Sequence, residues 1–84
     1  MDRKELRTRA HKLEPVVIIG AKGVTEEVLA EIERALKAHE LIKVRALLER
    51  TAREVAFQAV LEHTGAERIQ QVGKVCVLYR KNDS

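Results

Sequence analysis

The chain has 84 residues, and its 16 lysines and arginines outnumber its 13 aspartates and glutamates, for a formal net charge of +3. This length predicts one domain over residues 1–84, and no apolar run approaches the roughly 20 residues of a membrane span. Because the single cysteine, Cys76, cannot form an internal disulfide, the composition predicts a cytoplasmic protein in a reducing compartment.

The first two predicted elements are a helix and a strand. Leu6 and Ala10 recur at helical spacing and predict a helix over residues 2–13. Pro15 disfavours helical geometry in the residue before it, so a strand is expected over residues 16–19. These four residues are all apolar, which predicts an inner strand or one covered by helices on both faces.

The next segment, Gly20-Ala21-Lys22-Gly23, is a G-x-x-G loop that leads into a helix capped by Thr25. Because the two glycines have no side chains, such a loop can come within hydrogen-bonding range of a sugar-phosphate backbone. Turns between a strand and a helix also use glycine simply for positive φ. The loop alone therefore leaves both interpretations open.

A second strand is predicted over residues 41–48, and its side chains alternate between the two faces of the sheet. Lys43 and Arg45 point to the same side, where a face packed under helices could not hold two like charges. That face is therefore predicted to be at least partly wet. Its members are Leu41, Lys43, Arg45 and Leu47, and the opposite face has Ile42, Val44, Ala46 and Leu48.

The remaining chain predicts one helix and a hairpin. Thr51 and Glu54 have the spacing of a capping box that starts a helix ending near His63, and Gly73 separates two strands, residues 68–72 and 74–80. The order α-β-α-β-α-β-β predicts an α/β fold of two layers. Its mixed four-stranded sheet would have parallel first strands and an antiparallel terminal hairpin.

Residues capable of catalysis or metal binding are few. The only serine is the terminal Ser84, and Cys76 lies in an apolar run where a thiol is expected to be buried and inert. His11, His39 and His63 fall in three separate elements, without the compact spacing of a zinc site. We therefore predict no catalytic residue, metal, cofactor or small-molecule substrate.

Basic side chains favour a polyanionic partner. The chain has one phenylalanine and one tyrosine, and Phe57 is expected in the core, so base stacking along a single strand is disfavoured and the phosphates and 2′-hydroxyls of structured RNA are favoured. An alternative is a protein-interaction module that uses Leu41 and Leu47 of the open sheet face. The predicted RNA contacts are Lys22, Lys43, Arg45, Arg50 and Arg53, with Arg7 and Lys12 on the first helix.

Several blocks of this chain together resemble the CRM domain, the RNA-binding module of bacterial YhbY proteins and of plant organellar intron-splicing factors. The blocks run from Leu6-Arg7 to residues 71–80, and they include residues 10–20, 23–32, 39–45 and 65–66. The resemblance implies the open fold of the C-terminal domain of bacterial translation initiation factor three.

The same resemblance implies a function and a site. The function is binding of ribosomal RNA in precursors of the large subunit, as a ribosome assembly factor. Gly20 and Gly23 match the family's loop, and Arg7, His11 and Lys43 match recurrent positions. His11 has an equally good structural interpretation, as a tie between the first helix and the first strand.

Overall fold

The computed structural model describes residues 2–82 and contains the seven predicted elements in the predicted order. They are α1 (Arg3–Ala10), β1 (Pro15–Ile19), α2 (Glu26–His39), β2 (Leu41–Ala46), α3 (Arg50–Thr64), β3 (Glu67–Val72) and β4 (Val75–Tyr79). Gly65 follows α3 with φ of +73°, as expected for a glycine that ends a helix.

The four strands form one mixed sheet in the order β1-β2-β4-β3. The pair β1 and β2 is parallel and the other two pairs are antiparallel, which confirms the predicted fold class. The predicted position of the first strand was wrong, because β1 lies at the edge of the sheet. Val16 and Ile18 are 50% and 56% exposed. The prediction failed because an edge strand with one open face can have the same apolar sequence as a covered strand.

One face of the sheet carries the main core and is covered by α2 and α3. Val44 and Cys76 pair across β2 and β4, and they pack in one cluster with Ile32 and Phe57 from the helices. Phe57 and Cys76 are fully buried, as predicted from the sequence. Burial raises the pKa of the Cys76 thiol to about 11, so this thiol stays protonated at neutral pH.

The opposite face, called the second face below, is only partly covered. Leu6 and Ala10 of α1 pack there against Leu41, Ile69 and Val77. The prediction of Leu41 on an open face was therefore wrong, because α1 folds back across the start of β2 and buries this side chain. The part of the second face near the end of β2 stays open.

The start of α3 differs from the predicted capping box. The helix begins at Arg50, and the Glu49 carboxylate accepts hydrogen bonds from the N–H groups of Thr51 (3.1 Å) and Ala52 (2.7 Å). These bonds lower the pKa of Glu49, and the bond from Ala52 has the larger effect. The predicted partner Glu54 instead accepts hydrogen bonds from Arg68 and Gln71, which only the tertiary fold brings near it.

The end of β4 is tied to two helices by Arg80. Its guanidinium donates to both carboxylate oxygens of Glu33 in α2, each at 3.0 Å, and to the Thr64 carbonyl at 2.9 Å. The hydrogen bond from Arg80 is the main reason why the pKa of Glu33 lies below its ordinary value of 4.5. The charged pair therefore stabilises the fold above about pH 4.5, and this contribution is lost as the pH falls through the lowered pKa.

We expect Arg80→Met to lower the free energy of unfolding by about 1 kcal/mol at pH 7, a modest value because both groups keep some solvent contact. The difference from wild type should narrow below pH 4.5, when Glu33 becomes protonated. Urea unfolding at several pH values measures this difference in the free energy of unfolding. Lys81→Met, at an exposed neighbouring position, is the control. A difference that stays constant down to pH 2 would contradict the assigned role of Glu33.

Candidate nucleic-acid interface

The G-x-x-G loop is a tight turn between β1 and α2. The Gly23 N–H donates to the Gly20 carbonyl at 2.9 Å, so Ala21 and Lys22 form the centre of the turn. Gly23 has φ of +73°, a left-handed conformation that favours glycine. At Gly20 φ is not positive, and an added Cβ would meet nothing within 4 Å. The fold therefore explains glycine at position 23 but not at position 20.

The centre of this turn presents unused donors. Within residues 2–82, the backbone N–H groups of Ala21 and Lys22 form no backbone hydrogen bond, and the Lys22 side chain has no partner. Both residues are exposed. Two amides and an ammonium group are thus available to an anionic ligand.

Three chain segments meet at the end of the sheet where this loop lies. The Leu47 N–H donates to the Ile19 carbonyl and the Ala46 N–H donates to the Lys74 carbonyl, both at 2.8 Å. These bonds place the G-x-x-G loop, the connection from β2 to α3 and the hairpin turn side by side. We call this surface the loop edge, and it consists of residues 20–23, 47–50 and 73–74.

The loop edge gathers exposed cations from separate parts of the sequence. Lys22, Arg50 and Lys74 belong to its three segments, and Arg45 lies next to it in β2, beside Ile18 of β1 and Val75 of β4. These four side chains form no ion pair or hydrogen bond within the part of the chain that the structure describes. Sequence reasoning missed Lys74, although a lysine directly after the turn glycine was an available signal.

Side chains of the protein cap both helix N-termini near the loop edge. The Glu49 carboxylate satisfies the first amides of α3, and the Thr25 hydroxyl accepts from the Val28 N–H at 3.2 Å in α2. The carboxylates of Glu26 and Glu27 in the first turn of α2 also disfavour an anion at that terminus. We therefore expect a phosphate at this edge to be held by the loop amides and the basic side chains.

Arg53 is less available than the other predicted contacts near this edge. Its Nη1 donates to the Leu48 carbonyl at 3.4 Å, and its Nε is buried without a partner within residues 2–82. The guanidinium is thus held against the connection between β2 and α3 by this hydrogen bond. Its contribution to RNA binding remains a prediction.

Lys43 has a structural partner on the second face. Its Nζ donates to the Leu13 carbonyl at 3.1 Å, which ties the segment between α1 and β1 to β2. Lys43 and His11 line a groove of about 610 Å³ between this segment and the hairpin. The His11 ring is exposed and makes no hydrogen bond with the described residues, so the predicted tie between the first helix and the first strand is not formed by a His11 hydrogen bond.

The basic residues of α1 lie apart from the loop edge. This helix packs over Leu41 at the start of β2, whereas the loop edge lies beyond the end of that strand. Arg7 is half-buried and Lys12 is exposed. The predicted contacts therefore fall into a group at the loop edge and a group at α1, with Lys43 between them.

Two further features limit the kinds of site that the described residues can form. Across residues 2–82, no three histidine, cysteine, aspartate or glutamate side chains are grouped so that they could hold a metal ion. None of the helices in this range is both long and apolar enough to cross a membrane. Ser84 lies outside the described residues.

The chain is similar to known proteins in both sequence and fold. Residues 1–80 match the family model described as the CRS1/YhbY (CRM) domain. The chain is 43% identical over 81 residues to a protein named a probable RNA-binding protein of Pseudomonas aeruginosa, covering 95% of this chain and 78% of that one. It is 46% identical over 79 residues to a protein named RNA-binding protein from Haemophilus influenzae, covering 93% and 80%.

A solved structure has the same fold. It is the solution structure of a hypothetical protein from Staphylococcus aureus, described as an RNA-binding candidate. The TM-score is 0.83 at 30% sequence identity, covering 98% of this chain and 86% of that one.

Proposed function

This chain is a member of the CRS1/YhbY (CRM) domain family, and we propose that it is a non-catalytic protein that binds structured RNA through the loop edge. The observation that carries the proposal is the exposed turn at Gly20 to Gly23. Among residues 2–82, the amides of Ala21 and Lys22 and the Lys22 side chain have no partner, and the segments beside the turn carry three further cations without a partner in that range. The names of two relatives support RNA as the partner.

The chemistry of the loop edge favours recognition of the RNA backbone. Phosphate oxygens accept hydrogen bonds from amides and from lysine and arginine side chains, and these contacts position a protein without reading the base sequence. Phe57 is fully buried and cannot stack on a base. A folded RNA presents phosphates and 2′-hydroxyls at fixed spacing, which suits a rigid turn flanked by cations.

We further propose that the RNA is large-subunit ribosomal RNA in a precursor particle, so that the protein acts in the cytoplasm as a ribosome assembly factor. The support for this step is the resemblance to the YhbY proteins. The geometry of the site suits any structured RNA equally well.

A pair of alanine substitutions tests whether the loop contacts RNA. Gly20→Ala should leave the free energy of unfolding unchanged, because the added methyl group has open space and φ is not positive. It should weaken binding to large-subunit ribosomal RNA at least about tenfold, because the methyl group would stand between the turn and the phosphates. Fluorescence anisotropy with fragments of that RNA measures the affinity.

Gly23→Ala serves as the comparison. It should destabilise the fold by about 1 kcal/mol, since alanine is strained at φ of +73°. A Gly20→Ala variant that folds normally and binds as tightly as wild type would show that RNA does not approach the turn. An equal loss of stability in both variants would show that Gly20 is glycine for a reason internal to the fold.

A further inference from the structure

An apolar groove adjoins the G-x-x-G loop on the side of α3, and the backbone contacts proposed above do not use it. Its volume is about 440 Å³. Val55 is 65% exposed although it is a large apolar side chain on a helix, and it faces this groove. Its apolar lining includes Ala21 and Val24 from the loop segment, Leu48 from the connection between β2 and α3, and Ala52, Val55 and Ala59 from α3.

The groove has a cationic end at the loop, and an acidic part of the α3 surface lies beyond its other end. At the loop, Lys22 lines it and the free turn amides stand beside it. No carboxylate lines the groove within residues 2–82. Past Val55 and Ala59, the surface of α3 continues into a shallower depression that is bordered by Glu54 and Glu62. An anion is therefore favoured at the loop end alone, with uncharged apolar surface between the two ends.

This polarity fits one chemical class of ligand. A nucleotide combines an anionic phosphate with a flat, mostly apolar base, and the distribution of charge would place the phosphate at the loop and the base against Val55 and Ala59. The lining has no aromatic ring, so it offers no platform for stacking successive bases. A base that is paired within a duplex could not reach these side chains.

We propose that this loop–helix groove binds the base of a single unpaired nucleotide, such as a bulge, while the G-x-x-G loop holds the adjoining phosphate. The inference rests on the proposed function and narrows its substrate class to structured RNA with an unpaired nucleotide beside a helix. Preference among RNAs would then arise from where such a nucleotide occurs, in addition to the phosphate contacts.

The test compares two RNA hairpins that differ only in one bulged nucleotide. Wild-type protein should bind the bulged hairpin about tenfold more tightly than the fully paired one. Ala59→Leu fills the groove with an exposed apolar side chain and should abolish this preference while binding to the paired hairpin stays unchanged. Ala38→Leu, at an exposed position of α2, is the matched control and should keep the preference.

The outcomes separate this inference from the proposed function. If wild type shows no preference for the bulge, or if Ala59→Leu retains it, the groove does not bind a base. The proposed function still stands in that case, provided that Gly20→Ala weakens binding to both hairpins. If wild type binds neither hairpin nor ribosomal RNA, the proposed function fails and the groove inference fails with it.

Discussion

Replacing Lys22, Arg45 and Lys74 together by glutamate is expected to weaken RNA binding by more than about 100-fold. Each of these side chains is exposed and without a partner in residues 2–82, so each is free to contact phosphate. A hydrogen bond to a charged group contributes roughly 1.5 kcal/mol or more, and 1.4 kcal/mol corresponds to a factor of ten. The fold should tolerate the changes, because these side chains form no hydrogen bond or ion pair within residues 2–82.

The dependence of affinity on salt gives a second readout of the same variant. Binding through several phosphates weakens steeply as salt rises, and each lost contact lowers the slope of log K against log salt by about 1. The triple variant should therefore show a slope about 3 units shallower than wild type. Anisotropy titrations at several salt concentrations, with circular dichroism to confirm folding, measure both effects.

A second triple variant controls for overall charge. Lys4, Arg34 and Lys81 are exposed and lie outside the loop edge, and their replacement by glutamate changes the net charge by the same amount. We expect a much smaller loss of affinity for this variant. If both variants lose affinity equally, net charge rather than the loop edge governs binding. If the loop-edge variant binds like wild type, RNA contacts another surface.

The same titration addresses the protein-interaction alternative. A hydrophobic contact with a protein would respond little to salt, whereas phosphate contacts respond strongly. Leu41, one of the two side chains suggested for that contact, is buried under α1. Leu47 is 47% exposed but lies beyond the end of β2, so the two do not form the apolar surface that the alternative requires.

Replacing Phe57 by alanine is expected to lower the free energy of unfolding by about 3 to 5 kcal/mol. The ring has no solvent exposure and packs in the main core with residues of the sheet and α2. A domain of this length has a total stability of roughly 4 to 12 kcal/mol, so the change removes a large share of it. Urea unfolding monitored by circular dichroism measures the loss.

Phe57→Leu separates a core role from a role in RNA recognition. Leucine keeps most of the apolar volume and should cost less than about 1.5 kcal/mol. At a temperature where this variant is fully folded, its RNA affinity should equal that of wild type. A selective loss of affinity without a loss of stability would mean that Phe57 contacts RNA, contrary to its burial.

Local pattern predicted the elements of this protein well. The spacing of Leu6 and Ala10 marks the buried side of α1, and the alternation of Ile42 and Val44 with Lys43 and Arg45 separates the two faces of β2 correctly. These predictions succeed because the repeat of a helix or strand decides which side chains share a face, whatever packs against it. The positive φ of Gly65 likewise follows from its place after a helix.

The predictions were wrong where residues distant in the chain compete for the same hydrogen-bonding or packing partner. Thr51 and Glu54 have the spacing of a capping box. In the structure, however, Glu49 accepts the hydrogen bonds from the helix amides, and Glu54 accepts one from Arg68 of β3. The apolar sequence of β1 predicts a covered strand, yet β1 lies at the edge of the sheet. In each case the local pattern is compatible with two outcomes, and long-range packing selects one.

The sequence by itself determined the seven elements, the resemblance to the CRM family and the presence of a glycine turn with a lysine at its centre. Only the tertiary structure decided which cations stand beside that turn. Lys22, Arg45 and Lys74 are far apart in the chain. Their backbone segments become neighbours because the ends of β1 and β2 and the start of β4 meet through backbone hydrogen bonds at one end of the sheet. Strand order is a property of the whole fold, so no local pattern could reveal that cluster.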